Sequence, residues 1–158
     1  MSASGPSSGL KKQRAYYSGK RRGHTLKAQL VIDLRSERFM CVAVGPGRQH
    51  DFSLFRASRV RLHRSLLCLA DKGYQGIQQL HANSHTPCKG AARAALCAAE
   101  RKAERALAAV RVRIEHAIGR LKCFRILSER YRNRRRRFGL RLHLIAGIVN
   151  YELALKAP

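Results

Sequence analysis

Residues 66–74 read L-L-C-L-A-D-K-G-Y, and this stretch decides the fold class. Its five uninterrupted apolar residues suit a strand that is buried on both faces, as in a parallel sheet flanked by helices. Asp71 follows that strand directly, at the position where open α/β sheets place their ligands. Gly73, two residues later, allows the backbone of the same loop to approach other groups closely. The stretch therefore predicts an α/β fold with Asp71 at a functional edge of its sheet.

The residues upstream of this strand predict an antiparallel hairpin followed by a helix. Two strand-like stretches, residues 26–34 and 38–44, are separated by a short turn. The sequence G-P-G at residues 45–47 ends the second strand, because two glycines around a proline interrupt a regular ladder. A helix over residues 52–60 follows, and Asp51 is predicted to be its N-cap.

The residues downstream are predicted to be mostly helical. After a short strand near residues 86–89, an Ala-rich segment over residues 91–124 predicts one long helix or two helices. A dense cationic run, R-Y-R-N-R-R-R-R, fills residues 130–137, and a final amphipathic helix extends from Leu140 to Leu155. The order of these elements predicts an α/β fold, whose sheet has few strands for a chain of 158 residues. Residues 1–15, rich in Ser and Gly, are predicted to be a disordered leader.

The charge of the chain indicates a polyanionic partner. Thirty-three Lys and Arg against nine Asp and Glu give a formal net charge of +24. Because repulsion among these charges opposes folding, we expect the chain to work against a polyanion such as DNA or RNA. An anionic membrane is the weakest candidate, since no apolar run approaches the ~20 residues of a spanning helix. No basic-then-apolar secretory signal is visible, which favours a cytoplasmic location.

The five cysteines form no C-x-x-C pair and are best explained as small buried hydrophobes in a reducing compartment. The alternative is a zinc site built from His81, His85 and Cys88, for which no clear fourth ligand exists.

Two of the nine acids, Asp71 and Glu115, stand apart from the others. On a helix, Arg111, Glu115 and Lys122 share one face because they are spaced by four and seven residues. Judged by its neighbours alone, Glu115 is explained better by a structural ion pair than by catalysis. The remaining acids are interpreted as turn or cap residues, such as Asp33 and Asp51, or as solvated partners of nearby arginines.

Six ordered motifs resemble those of DDE-superfamily transposases of bacterial insertion sequences. Y-Y-S-G-K-R-R-G-H-T-L-K at residues 16–27 and G-P-G-R-Q-H-D at residues 45–51 resemble the family's strand-entry segments. A-D-K-G-Y-Q-G at residues 70–76 and residues 111–122 look like the surroundings of its second and third catalytic acids. Two further segments, residues 128–133 and 148–153, match its C-terminal end. The resemblance runs from about residue 13 to residue 155, so residues 16–158 are interpreted as a partial catalytic domain.

The resemblance implies a ribonuclease-H-like fold, a mixed sheet flanked by helices. In that family two Asp and one Glu bind two divalent cations, Mg²⁺ or Mn²⁺, which support phosphodiester cleavage and then strand transfer at element ends. Asp71 would be the second acid and Glu115 the third, and both would be metal ligands. Arg111 and Lys122 fit the family's signature around that Glu and would hold DNA phosphates. The remaining phosphate-binding candidates lie in the cationic run: Arg132, Arg134, Arg135, Arg136 and Arg137.

Two departures from the family pattern matter. Ala108 occupies a position where the family often has Tyr. The first catalytic Asp should end a strand upstream of Tyr16, yet no acid precedes Asp33. In the related fold that strand lies at the centre of the sheet, so its absence would leave backbone groups of both flanking strands unpaired, at about 1–3 kcal/mol each. We therefore expect an incomplete sheet, and a chain that is unstable and inactive alone.

Three interpretations of function follow from the sequence. The first is a transposase fragment, either the downstream frame of a frameshifted element or a decayed remnant, with DNA and an upstream-frame segment as partners and oligomers possible. The second is a non-enzymatic basic nucleic-acid-binding protein, which the charge supports equally. A metal-dependent nuclease of related fold is the third.

Overall fold

The computed structural model describes residues 14–19, 22–87, 98–129, 131 and 134–156, and over residues 98–107 only the backbone. Its strands are β1 (Tyr17–Ser18), β2 (Gly23–His24), β3 (Leu26–Ile32), β4 (Phe39–Pro46), β5 (Cys68–Leu69) and β6 (Ser84–His85). Its helices are α1 (Asp51–Ser58), α2 (Ala98–Lys122), α3 (Arg125–Ser128) and α4 (Phe138–Leu155). Short 3₁₀ turns cover Lys72–Tyr74, Ile77–Gln79 and Arg135–Arg137. The predicted α/β class is confirmed.

The predicted hairpin is the central element of the fold. β3 and β4 pair antiparallel from Leu26 opposite Pro46 to Ile32 opposite Phe39, with a bulge between Val31 and Ile32. In the turn that joins them, the Asp33 carboxylate accepts hydrogen bonds from the backbone N–H groups of residues 35 and 36. This arrangement confirms Asp33 as a turn residue rather than a ligand.

Helices cover both faces of the hairpin. On one face, Leu30, Ile32, Val42 and Val44 pack in the cluster that α2 and α4 complete with their buried residues Ala117, Leu121, Leu142, Ile145, Ala146 and Val149. On the other face, the Gln29 side chain donates to the Ser58 hydroxyl of α1 at 3.3 Å. A sheet that is apolar on both faces needs such a layer on each side.

Asn150 of α4 fastens the start of β4. Its side-chain amide donates to the Phe39 carbonyl at 2.9 Å and accepts from the Phe39 N–H at 2.8 Å. The amide thus replaces a neighbouring strand at the point where β4 begins, and it accounts for the asparagine in the motif at residues 148–153.

The apolar run at residues 66–70 differs from its prediction. Only Cys68–Leu69 forms a strand, which pairs in parallel with Ser84–His85, and the side chains of Leu66 and Leu67 are 53% and 59% exposed. The prediction of a strand buried on both faces is therefore wrong for this structure, since no other described strand pairs with β5. Among the described residues the strands form three separate two-stranded sheets, and no continuous ribonuclease-H-like sheet is seen.

The remaining elements follow the sequence with shifted bounds. β6 begins at Ser84, earlier than the strand predicted near residues 86–89. α2 is one continuous helix to Lys122, while residues 91–97 and 1–13 lie outside the described residues. α4 and its preceding turn are long and apolar enough to cross a membrane by length and composition. A core helix passes the same test, and one face of α4 is buried against the hairpin.

Candidate functional site

Asp71 lies at the C-terminal end of β5, as predicted. The N–H of the preceding Ala70 donates to the His85 carbonyl at 2.9 Å, and the N–H of Tyr74 donates to the Asp71 carbonyl at 2.9 Å. These bonds fix the backbone on both sides of Asp71, while its side chain is 75% exposed. The carboxylate can therefore reach a ligand in solvent without movement of the backbone.

Arg111 of α2 connects that helix to Asp71. Its Nη2 donates to Asp71 Oδ1 at 3.1 Å, across 40 residues of sequence. Successive helical residues are rotated by about 100°, so Glu115 and Lys122 lie within about 40° of Arg111 around the helix axis. The face of α2 that carries Glu115 is therefore turned toward the end of β5.

Glu115 is an exposed residue on this face. Among the described residues no cation lies within salt-bridge distance of its carboxylate, because Arg111 pairs with Asp71 instead. The ion pair considered from the sequence is thus not formed. Within the part of the chain that the structure describes, the Glu115 carboxylate therefore remains available to a ligand.

Asp51 is a component of the site that the sequence did not reveal. Its predicted role as N-cap is wrong, because His50 occupies the cap position and Asp51 is the first helical residue. Asp51 Oδ1 lies 2.9 Å from Lys27 Nζ, which also donates to the Gln49 carbonyl at 2.6 Å. Asp51 Oδ2 is directed at Gly73, where a Cβ atom would come within 2.0 Å of it. The only sequence signal was its place in the motif at residues 45–51.

Tyr74 lies between the two aspartates. Burial, and then the negative charges of Asp51 and Asp71, raise the pKa of its phenol to about 12. Its ring makes an edge-to-face contact with Phe55, with the centroids 6.3 Å apart. The phenol therefore stays protonated at neutral pH, and its ring anchors the Asp71 turn on α1.

The chemistry of these side chains suits a divalent cation. Carboxylate oxygens are the ligands that Mg²⁺ prefers, and Mg²⁺ is commonly held by one or two carboxylates together with substrate phosphates and water. Asp71 and Glu115 supply two such groups. Within the described part of the chain, no group of three or more His, Cys, Asp or Glu side chains could hold a metal ion. By the chemistry of their side chains, Asp71 and Glu115 are candidate ligands for a metal that also binds phosphate.

The other predicted sites are placed as follows. Arg134, Arg135, Arg136 and Arg137 are exposed at the start of α4, and Arg132 lies outside the described residues. In the proposed zinc set, Cys88 lies outside the described residues. Both ring nitrogens of His81 already have partners, the Ser84 hydroxyl at 3.0 Å and the His63 carbonyl at 3.1 Å. His81 is thus a buried structural histidine.

Glu37, interpreted from the sequence as a solvated partner of neighbouring cations, forms an ion pair with arginines that are distant in sequence. The residue lies in the hairpin turn with a positive φ of 57°, and its carboxylate is 2.6 Å from Arg120 and 3.7 Å from Arg113, both of α2. The hydrogen bond from Arg120 holds the pKa of Glu37 below its usual value. This pair sets the orientation of α2 relative to the hairpin, and with it the direction of the face that carries Glu115.

Comparisons with known proteins identify the family of the chain. Residues 4–150 match the family described as DDE superfamily endonuclease. The chain is 50% identical over 147 residues to a protein of Microchaete diplosiphon named probable transposase for insertion sequence element IS702, covering 93% of this chain. The chain spans about half, 53%, of the length of that curated relative. No solved structure matches the chain. The chain therefore belongs to the DDE superfamily of endonucleases.

Proposed function

We propose that this chain carries the second and third acids, Asp71 and Glu115, of a metal-dependent site for DNA strand cleavage and strand transfer at insertion-sequence ends. The observation that supports the assignment is the contact between Arg111 and Asp71. It joins the end of β5 to the face of α2 on which Glu115 lies. DNA, at the element end and at the target, is the proposed substrate, since transposition acts on DNA.

Each side chain of the site has a distinct role in this proposal. Asp71 and Glu115 bind the divalent cation through carboxylate oxygens. The cation, when bound, supplies activation of an attacking oxygen and stabilisation of the leaving oxygen. Arg111 and Lys122 hold the scissile phosphate beside the two acids, because charge-assisted hydrogen bonds to phosphate are strong and directional. Bound phosphate would compete with Asp71 for Arg111.

Metal binding would also offset the repulsion that arises when Asp71 and Glu115 approach each other to share a cation. Two carboxylates about 4 Å apart repel each other by about 4 kcal/mol at an effective dielectric constant near 20. Arg111 neutralises Asp71 in part, but Glu115 has no such partner among the described residues. Asp71 and Glu115 would therefore hold the cation together, and the bound charge would offset their repulsion and favour a DNA phosphate beside them.

The proposal includes inactivity of this chain in strand cleavage when it is tested alone. The family mechanism uses three acids, and the described residues offer two at this place. Asp51 does not act as the third, because its carboxylate is paired with Lys27 and lies against the backbone of Gly73, where no space remains even for a Cβ atom. It is a positioning residue for the Asp71 turn. The missing acid would come from a segment encoded in the upstream frame, in a cytoplasmic complex on DNA.

The alternative function, a basic nucleic-acid-binding protein without catalytic chemistry, explains the charge but not the arrangement of Asp71, Arg111 and Glu115. Binding of a labelled DNA duplex, measured by fluorescence anisotropy with EDTA or Mn²⁺, separates the two. We expect Mn²⁺ to tighten binding by wild type and not by the Asp71→Asn/Glu115→Gln double variant.

The matched control is Glu129→Gln/Glu152→Gln, which changes the net charge equally at two exposed acids outside the site. It should respond to Mn²⁺ as wild type does. An equal response to Mn²⁺ in all three proteins would contradict the metal site and support the plain binder.

A further inference from the structure

A second charged surface lies apart from the Asp71 site, where three segments distant in sequence meet. The guanidinium group of Arg135, at the start of α4, lies 4.4 Å from the centroid of the Tyr16 ring. On the other side, the N–H of Arg48 donates to the Ala15 carbonyl at 3.2 Å. We define the Tyr16 surface by the residues that line its two open clefts with charged or aromatic side chains: Arg14, Tyr16, Tyr17, Arg48, Arg135 and Arg136.

The G-P-G motif explains how these segments come together. The N–H of Gly47 donates to the Thr25 carbonyl at 2.9 Å, and a Cβ at Gly47 would lie 1.9 Å from Thr25 Oγ1. Glycine is therefore required for this close approach. The N–H of Thr25 in turn donates to the Tyr16 carbonyl at 2.7 Å, so the loop holds both Tyr16 and Arg48 in place.

The four arginines of this surface are exposed, and none has a carboxylate within salt-bridge distance among the residues that the structure describes. Arg135 is held against an aromatic ring by a cation–π contact, which fixes its position without neutralising it. Four guanidinium groups without a described acidic partner, one of them fixed against Tyr16, favour a ligand with regularly spaced negative charges. A DNA backbone has this property.

The lining also indicates what kind of contact is made. Among the described residues that line the clefts, the charged and aromatic side chains are arginines and tyrosines. Arginines and tyrosine hydroxyls are common ligands of phosphate oxygens, and phosphate contacts carry no sequence information directly. Contacts of this kind would hold DNA irrespective of its sequence.

We propose that the Tyr16 surface binds the phosphate backbone of duplex DNA outside the Asp71 site, as a sequence-independent holding surface. The inference rests on the proposed function only in taking DNA as the partner. It assigns a role to Arg14 and Arg48 and to the G-P-G loop that presents Arg48, and neither arginine belongs to the acidic site or to the cationic run.

The test measures the salt dependence of binding to a labelled duplex of arbitrary sequence, in EDTA so that the metal site does not contribute. Each phosphate contact adds about 0.9 to the slope of log K against log salt concentration. We expect the variants Arg14→Gln/Arg48→Gln and Arg135→Gln/Arg136→Gln each to lower the slope by about 1–2 and to weaken binding. Arg135→Lys/Arg136→Lys should retain most of the slope.

The control variant is Arg61→Gln/Arg64→Gln, which removes two exposed charges between α1 and β5 and so matches the change in net charge. Slopes that are equal in the control and in both test variants would overturn the proposal. A loss confined to a single-stranded probe would overturn the choice of duplex. The Asp71→Asn/Glu115→Gln variant distinguishes the two sites. It should lose the dependence of DNA binding on Mn²⁺, while the salt slope of its binding in EDTA stays equal to that of wild type.

Discussion

The contact between Gly73 and Asp51 leads to a prediction about the turn that carries Asp71. In Gly73→Ala, the new Cβ would lie 2.0 Å from Asp51 Oδ2 and 2.8 Å from Asp51 Cγ. Either the carboxylate moves and leaves Lys27, or the turn moves and takes Asp71 with it. Partly exposed ion pairs contribute about 0.2–1 kcal/mol, whereas overpacking costs about 1–3 kcal/mol. We expect the turn to be destabilised by about 1–3 kcal/mol.

Amide hydrogen exchange measured by mass spectrometry reports this change locally. The N–H of Tyr74 is bonded to the Asp71 carbonyl at 2.9 Å, so exchange in a peptide over residues 71–76 follows opening of the turn. A cost of about 1–3 kcal/mol corresponds to about 5-fold to 150-fold faster exchange, since about 1.4 kcal/mol is tenfold. A peptide from β4 serves as the internal reference.

Two further variants separate the clash from a general effect of the added methyl group. Asp51→Ala leaves only the contact to Cβ of residue 51, at 3.1 Å, so Gly73→Ala should have little effect in that background. Gly119→Ala, in α2 with nothing within 4 Å of the added Cβ, should stabilise the helix by about 0.5–1 kcal/mol. Equal exchange in wild type and Gly73→Ala, or the same acceleration with and without Asp51, would refute the reasoning.

Three more predictions concern the surrounding fold. Asn150→Ala removes two hydrogen bonds to the Phe39 backbone and should cost about 2–4 kcal/mol in a denaturation experiment, because both backbone groups lose their partner; a cost below about 0.5 kcal/mol would show that water replaces the amide. The folded-state pKa of Glu37 is lowered by its arginine partners, so its stabilisation is present above its unfolded pKa and is lost as pH falls through the folded pKa. Wild type should therefore exceed Glu37→Gln in stability most at about pH 6, and the difference should shrink toward about pH 3; a constant difference would contradict the pair. Burial raises the pKa of the Cys68 thiol, so iodoacetamide should modify the exposed Cys123 first, and faster labelling of Cys68 would contradict the burial.

The sequence predicted those parts of the fold that local patterns determine. The hairpin was predictable because two strand-like apolar stretches flank a short turn, in which Asp33 satisfies two backbone donors. α2 and α4 were predictable from intrinsic propensity and from the spacing of their apolar residues. Asp71 was found because it directly follows an apolar run.

The errors arose where contacts distant in sequence decide the structure. Asp51 has the residue type and position of an N-cap, and only the fold brings Lys27 and Gly73 to its carboxylate. Leu66 and Leu67 have the composition of a buried strand, but burial also needs a neighbouring element to cover them, which the described residues do not provide. Similarly, no local pattern shows that Tyr16 meets Arg135.

The central claim, that Asp71 and Glu115 bind one metal, is tested most directly by titrating Mn²⁺ into the protein with duplex DNA and following free Mn²⁺ by electron paramagnetic resonance. We predict that Asp71→Asn and Glu115→Gln each weaken the same single site by about tenfold or more, since even outer ligands of metals contribute about 10–100-fold. The double variant should also lose that single site, and no second Mn²⁺ site should be lost with it. Unchanged Mn²⁺ binding in both single variants, or independent losses from two separate sites, would contradict the account.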